Sequence, residues 1–262
     1  MNRTNDKRTK FYVGAFFVAL FTIWQLLYTF GAIPEYLFPS PLQVVRRMWE
    51  LGADGLLWPS VQATLVRMAI GFTIAAIIGL VIGVLMGTSK IVNSCLKSLF
   101  LGLQTLPTAA WVPVSLLLFG LKEEGIYFVI IMSAMPAVAT ATSDGILHIQ
   151  PIYIRAAKTL GTSTFAMPFT VILPAALPTI VTGIKLGWTL GWHGAVSAEL
   201  IKSTVGLGYL LYMGRELNDA SQVIGIMVVT ILVGLLLDRF VFGLIEHRIR
   251  HRWGLEKGAA LA

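Results

Sequence analysis

The 262-residue sequence predicts an all-α membrane protein with six transmembrane helices, on three observations. Hydrophobic residues make up 56% of the chain and charged residues 13%, against about a quarter charged in a soluble domain. Mean hydropathy is +0.78. The apolar residues gather into six runs, roughly 11–30, 65–87, 99–120, 125–143, 176–198 and 220–240, each near the ~20 residues that cross a hydrocarbon core. Such runs must be helical, because lipid offers no partner to an open backbone donor or acceptor.

The first run, Phe11 to Phe30, is uncharged and follows the basic segment MNRTNDKRTK. It is too long for a signal-peptide core and lacks a small-residue cleavage pattern, so it is expected to be a retained span after an N-terminal segment 1–10. The second run contains GLVIGVLMG, with Gly79, Gly83 and Gly87 at every fourth position. Such a row lets helix backbones approach closely, within one chain or across a dimer. The third carries Pro107 and Pro113 and is expected to be kinked or broken. Glu123 and Glu124 lie in the short turn before the fourth run, where solvation or docking of a partner would suit them.

The fifth run repeats the small-residue row at Gly183, Gly187 and Gly191 and holds the polar groups most unusual for a span. Lys185, Trp188, Trp192, Ala195 and Glu199 share one broad helical face, with His193 about 80° away. Ionisable groups inside a membrane are costly and tend to face a bundle interior or water. Lys185, Trp188, Trp192, His193 and Glu199 are therefore candidates for a translocation path, with Lys185 attracting an anion and Glu199 restraining an external gate. Interface tryptophans, a snorkelling lysine and a surface cap are the structural alternative. A single histidine makes no metal site. Arg67 is read as an anchor at the end of the second span rather than a substrate contact. The connection STVGLGYLLYMGRELNDASQ has Gly206 and Gly208 for a tight path and apolar residues that can reinsert.

Net charge is +7, but the basic residues are scattered between apolar runs, which fits membrane topology rather than nucleic acid. Twelve lie on one side of a six-span chain: Arg3, Lys7, Arg8, Lys10, Lys90, Lys97, Arg155, Lys158, Arg248, Arg250, Arg252 and Lys257. Five lie on the other: Arg46, Arg47, Lys122, Lys202 and Arg215. The excess places both termini, including the tail 246–262, in the cytoplasm. The lone Cys95 excludes an internal disulfide framework and a thiolate cage.

Between the fourth and fifth runs lies a long polar loop, about 144–174. In HIQPIYIRAAKTLG, Pro151 opens a short helix and Gly161 closes it. Ile152, Ala156 and Leu160 fall on one face, and Ala156 and Ala157 keep the surface flat enough for close approach by another protein.

This loop resembles the motif of bacterial ABC importer permeases: EAA, three residues, Gly, nine residues, then I-x-LP. The chain has Arg155-Ala156-Ala157, then Leu160-Gly161, then Val171-Ile172-Leu173-Pro174, at the same spacing. Arg155 replaces glutamate and Val171 replaces isoleucine. FPSPLQV (38–44), TLVRMAIGF (64–72), LPTAAWVPVSLLLFGL (106–121), ILPAALPTIVTGIKLGW (172–188), AEL and GLGYL (206–210) are similar, in order, to the nitrate/sulfonate/taurine/bicarbonate permeases. The resemblance implies a type I ABC importer permease fold over 11–245 with a cytoplasmic coupling helix. Arg155, Ala156, Ala157, Leu160, Gly161, Leu173 and Pro174 would couple to the motor. It further implies a bacterial inner-membrane homodimer, two ATPase subunits that bind ATP and Mg, and an extracytoplasmic solute-binding protein delivering a small anion-like solute.

No G-x-x-x-x-G-K-[ST] phosphate loop occurs, and GVLMGTSK (83–90) lacks the Gly-Lys order, so no cofactor is expected in this chain. The first competing function is an ion-gradient-driven secondary transporter, on the strength of Lys185, His193 and Glu199. The second, an intramembrane enzyme, would need clustered nucleophile and base or metal ligands, which the spans do not offer.

Overall fold

The computed structural model describes residues 3–31, 34, 37–163, 166–202 and 204–243; the histidines His247 and His251 and the tail 246–262 lie outside them. The described residues form α1 (Arg3–Thr29), α2 (Pro41–Ala53), α3 (Leu57–Thr88), α4 (Lys90–Thr105), α5 (Trp111–Phe119), α6 (Glu124–Leu147), α7 (Pro151–Thr159), α8 (Leu173–Lys202), α9 (Leu207–Glu216) and α10 (Ala220–Leu237). Among the described residues, four segments are long and apolar enough to cross a membrane: Leu57–Thr88, Glu124–Leu147, Pro168–Ile201 and Ala220–Phe240. A fifth is reached if the bent pair α4 and Thr108–Phe119 counts as one span, and α1 holds a shorter apolar stretch over Gly14–Thr29.

The bundle is built around α6, which is clamped on two sides by glycine rows. Along α3, a Cβ added at Gly79, Gly83 or Gly87 would lie 2.8, 2.5 and 2.8 Å from the Cβ of Val138, Thr142 and Ile146. The two helices therefore run parallel in near contact. Along α8, Gly183, Gly187 and Gly191 meet Ala141, Val138 and Ala134 in the opposite order, so α8 is antiparallel to α6. Both rows serve packing within the chain. In lipid, where burial of apolar surface drives little association, this close backbone approach supplies the dispersion contacts that hold helices together.

Because α3 and α6 are parallel, the chain must return between Thr88 and Glu124. The segment expected as one span over 99–120 does this as two pieces, bent by 98°. The bend falls where Pro107 forces its neighbour out of helix: Leu106 has ψ 131° and Pro107 ψ 137°. Pro113 sits in the first turn of α5, where its missing N–H breaks no helix bond.

The sequence FPSPLQV folds as a capping box that starts α2. The Ser40 Oγ accepts the Gln43 N–H at 3.3 Å, the Gln43 Oε1 accepts the Ser40 N–H at 2.7 Å, and Pro41 occupies the first helical position. The Trp24 Nε1 donates to the Pro39 carbonyl at 3.0 Å and ties α1 to this turn. Arg47 holds α2 against the start of α10, pairing with Asp219 at 2.7 Å and donating to Gln222 at 2.9 Å. Ile70, Ile77, Val81 and Leu85 of α3 and Leu232, Leu235 and Leu236 of α10 are exposed. An apolar surface of this extent is tolerable where lipid covers it.

Candidate functional site

Three features carry chemistry: a buried charged cluster at one end of the bundle, a cavity between α8 and α10, and the capped helix α7 at the opposite end.

The cluster is centred on Arg67 of α3, whose guanidinium fork uses both edges. Its Nε and Nη2 donate to Glu123 Oε2 and Oε1 at 2.8 and 2.6 Å, a bidentate pair. Its Nη1 reaches Glu199 Oε1 at 3.0 Å and the Val205 carbonyl. Glu199 is fully buried, and its other oxygen accepts from the Thr64 hydroxyl at 2.8 Å and the Gly208 N–H at 3.1 Å. The Leu207 N–H donates to the Thr64 Oγ1 at 2.9 Å. Every oxygen of the buried carboxylate thus has a donor, which is what makes its burial tolerable.

Glycines make the arrangement possible. A Cβ at Gly206 (φ +151°) would lie 2.6 Å from the Glu199 carboxyl carbon, and one at Gly208 would lie 2.6 Å from the Glu199 Cβ. The expectation of reinsertion holds for Leu207 and Leu210, which are buried. Arg67 is an anchor, but to protein rather than to the membrane surface. Glu123, expected to be solvated or to dock a partner, is exposed and also forms the bidentate pair with Arg67, whose hydrogen bonds hold its carboxyl below the ordinary glutamate range.

The cavity, about 660 Å3, is lined on α8 by Lys185, Trp188, Trp192, His193 and Ser197, and on the other side by Thr230, Ile231, Leu235 and Asp238. Four of the five candidate path residues therefore converge. Glu199 does not line it: one helical face is shared over 14 residues in sequence, but its outer end is taken up by the Arg67 cluster. Lys185 pairs with Asp238 at 3.1 Å, across the gap between the helices. Trp188 is wedged edge-on to Phe72 at 5.1 Å and against Phe242 at 5.6 Å, so its indole is fixed by packing on both sides. Asp238, an acid at the end of an apolar run, is the sequence signal for this partner. Thr64 was legible only as the residue three before Arg67.

At the far end, α7 begins with Pro151 and ends on Gly161 at φ +79°. The Gly161 N–H bonds to the Lys158 carbonyl at 3.0 Å and the Thr162 N–H to the Ala157 carbonyl at 3.0 Å, a Schellman closure that needs the left-handed glycine. Ile152, Ala156 and Leu160 are exposed, Leu160 to 85%. Arg155 is exposed as well. Ala157 corrects the expectation of a flat double-alanine surface: it is 6% exposed and turned inward, because a residue one step from Ala156 is rotated about 100° around the helix.

The chain then enters α8 through a π turn, Pro168–Ile172, in which the Leu173 N–H bonds back five residues to Pro168. Pro174 has no N–H to give to its preceding turn, and the wider turn accommodates that loss. Ile172 and Leu173 pack on the buried cluster of Ile146, Ala176 and Ile180, so the base of α8 is seated on the end of α6.

An apolar helical bundle with a buried Arg67–Glu199 pair, a cavity between two spans and a capped helix presented at one end is the architecture of a multi-pass membrane protein. The chain belongs to the family of binding-protein-dependent transport system inner membrane components, whose model matches residues 75–251. It is 36% identical over 245 residues to the nitrate import permease protein of Leptolyngbya laminosa, covering 90% of this chain and 85% of that one. It is 36% identical to the bicarbonate transport system permease protein of Synechococcus elongatus, covering 84% and 82%. To the taurine transport system permease protein of Escherichia coli it is 32% identical, covering 83% and 81%. The inward-facing MetNI methionine ABC transporter matches with a TM-score of 0.62 at 21% identity, over 76% of this chain and 98% of that one, a likeness of fold. The chain is thus an ABC importer permease of the nitrate, bicarbonate, taurine and sulfonate type, a transport component and not an ATPase.

Proposed function

We propose that two copies of this chain form the pore of an ATP-driven importer in a bacterial inner membrane. Each copy would cross six times with both termini in the cytoplasm, the sixth crossing being supplied by α1 and the bent α4–α5 pair counting as one. A solute-binding protein delivers a small anion-like solute of the nitrate, sulfonate/taurine or bicarbonate class to the outer side. Two ATPase subunits, which bind ATP and Mg, dock on the inner side.

The observation that carries this reading is the construction of α7. A nine-residue helix, stopped by the Gly161 closure and showing Ile152, Ala156 and Leu160 outward, fits a groove on another protein. Its continuation through the π turn is packed against the α6–α8 seam. Closure of the ATPase dimer would move α7, and Leu173 and Pro174 would pass that movement into α8, where Lys185, Trp188, Trp192 and His193 line the path. At the other end, Glu199 and Arg67 would restrain the outer gate by tying α3, α6, α8 and the start of α9 together. For the cycle to be driven, the binding protein and ATP must differ in affinity for the inward and outward states.

A gradient-driven carrier is disfavoured by the family assignment. The test is affinity purification of the tagged chain from native membranes, with Leu160→Asp as the comparison. An ATPase subunit should accompany the wild-type chain and be lost with the variant while the variant still inserts. Equal recovery of the ATPase with Leu160→Asp would reject the assignment of α7.

A further inference from the structure

The outward face of α7 is divided between apolar and cationic side chains. Ala157 is turned toward the bundle. At about 100° per residue, Arg155 lies about 160° round the helix from it, and Lys158 about 60° further on. Ile152, Ala156 and Leu160 fill the neighbouring arc, which begins about 60° from Arg155 on its other flank. All five of these side chains are exposed.

The charge on this face has no counterpart within reach. No acidic residue occurs between Asp144 and Glu199. Asp144 is taken by Lys97 at 2.6 Å, and Glu199 is buried with Arg67 at the opposite end of the bundle. Among the described residues, neither Arg155 nor Lys158 forms an ion pair. Lys158 stands in the last turn of α7, where the carbonyl end of a helix favours a cation. Arg155, in the middle of the helix, has no such support. The neighbouring Thr159 hydroxyl donates to the Arg155 carbonyl at 3.1 Å and is committed to its own helix. The cytoplasmic bias toward cations accounts for a basic loop. It does not account for a guanidinium set beside the apolar arc that a partner would cover.

A guanidinium covered by another protein gives up water, which is costly unless an acceptor replaces it. A carboxylate matches its planar fork and its charge. We propose that the groove receiving α7 has an apolar floor for Ile152, Ala156 and Leu160 and an acidic wall, with a carboxylate facing Arg155. The inference rests on the assignment of α7 as the element that docks on the ATPase, and it states the charge that ATPase must carry there. It also supplies pairing specificity: an ATPase with a basic wall at this place would be rejected, because like charges brought together across an interface repel.

The test is binding of the purified, co-purifying ATPase subunit to the full-length permease in nanodiscs of phosphatidylcholine, whose headgroups carry no net charge. Wild type is compared with Leu160→Asp, Arg155→Gln and Arg155→Glu at about 50 and about 500 mM salt. At the lower salt, Arg155→Gln should weaken binding about threefold and Arg155→Glu about tenfold. Both gaps should close at the higher salt, where screening removes the charge contribution. If Leu160→Asp binds like wild type, α7 is not the docking element, and that assignment fails together with this inference. If Leu160→Asp weakens binding but Arg155→Glu binds as tightly as wild type or more so, α7 docks and the acidic wall is overturned. A deficit of Arg155→Glu that salt leaves unchanged also overturns it. So does a deficit that appears only when phosphatidylglycerol is added to the nanodiscs, because Arg155 then serves an anionic membrane surface.

Discussion

Arg67 and Glu199, 132 residues apart in the chain, meet at 3.0 Å inside the protein, with Glu199 fully buried and the Arg67 side chain 10% exposed. Neither is a membrane-surface anchor. Together they join α3 to α8, and through Glu123, Val205 and Gly208 they add α6 and the start of α9. Removing one partner leaves an uncompensated buried charge, a loss of about 3–5 kcal/mol. Arg67→Met should therefore destabilise more than Glu199→Gln, because it strands a buried carboxylate, while in Glu199→Gln the amide oxygen still accepts on one side and Arg67 keeps its pair with Glu123. In a thermal-unfolding cycle, the double variant Arg67→Met/Glu199→Met should cost less than the sum of the singles. Strict additivity would show that the two side chains are not coupled.

The Arg67–Glu123 pair gives a pH dependence of known sign. The folded-state pKa of Glu123 is depressed by hydrogen bonds from Arg67, so its contribution is present above the unfolded value of about 4.3 and lost as pH falls through the folded value. The carboxylate is 54% exposed, which limits the contribution to about 1 kcal/mol or less. Wild type should exceed Glu123→Gln in stability at pH 7, and the gap should shrink as the medium is acidified below pH 4. A gap that widens on acidification would contradict the assignment.

Glycine substitutions separate packing from propensity. At Gly83 a Cβ would lie 2.5 Å from the Thr142 Cβ and 2.6 Å from the Ala139 carbonyl, whereas at Gly102 of α4 nothing lies within 4 Å. Gly83→Ala should cost about 1–3 kcal/mol by forcing α3 off α6. Gly102→Ala should be neutral or stabilising by up to about 1 kcal/mol through helix propensity. Detergent-solubilised melting temperatures of the two variants provide the comparison.

The inward position of Ala157 divides the effects of changes in α7. Ala157→Trp should lower stability, since a large side chain has no room at a site 6% exposed. Ile152→Asp should leave the fold intact and weaken ATPase recovery. Gly161→Pro loses the left-handed turn and the N–H bonded to Lys158, so the chain should insert while its partner ATPase hydrolyses ATP without moving solute. Coupled uptake at wild-type rates with Gly161→Pro would count against α7 as the transmitting element.

Much of this was legible because it is local or periodic. The apolar runs announced the helices, Pro151 and Gly161 bounded α7, and the four-residue glycine rows announced close helix packing. Helical arithmetic put Lys185, Trp188 and Trp192 on one face with His193 about 80° away, and all four line the cavity. What was missed depends on contacts distant in sequence. A periodic pattern says which residues share a face, but not what that face meets, so Glu199 was grouped with the path although Arg67 and Gly208 claim it. The same limit hid the partnership of Glu123 with Arg67 and of Asp238 with Lys185. Pro107 marked an interruption, but its 98° size follows from how α4 and α5 pack around α6.

The central claim is that nucleotide hydrolysis by partner subunits drives solute through this chain. It is tested most directly by uptake into proteoliposomes holding the purified permease with its co-purifying ATPase, loaded binding protein outside and ATP with Mg inside. The account predicts uptake that requires ATP and the binding protein and persists when proton and sodium gradients are collapsed. Uptake that follows an imposed ion gradient without nucleotide would contradict it.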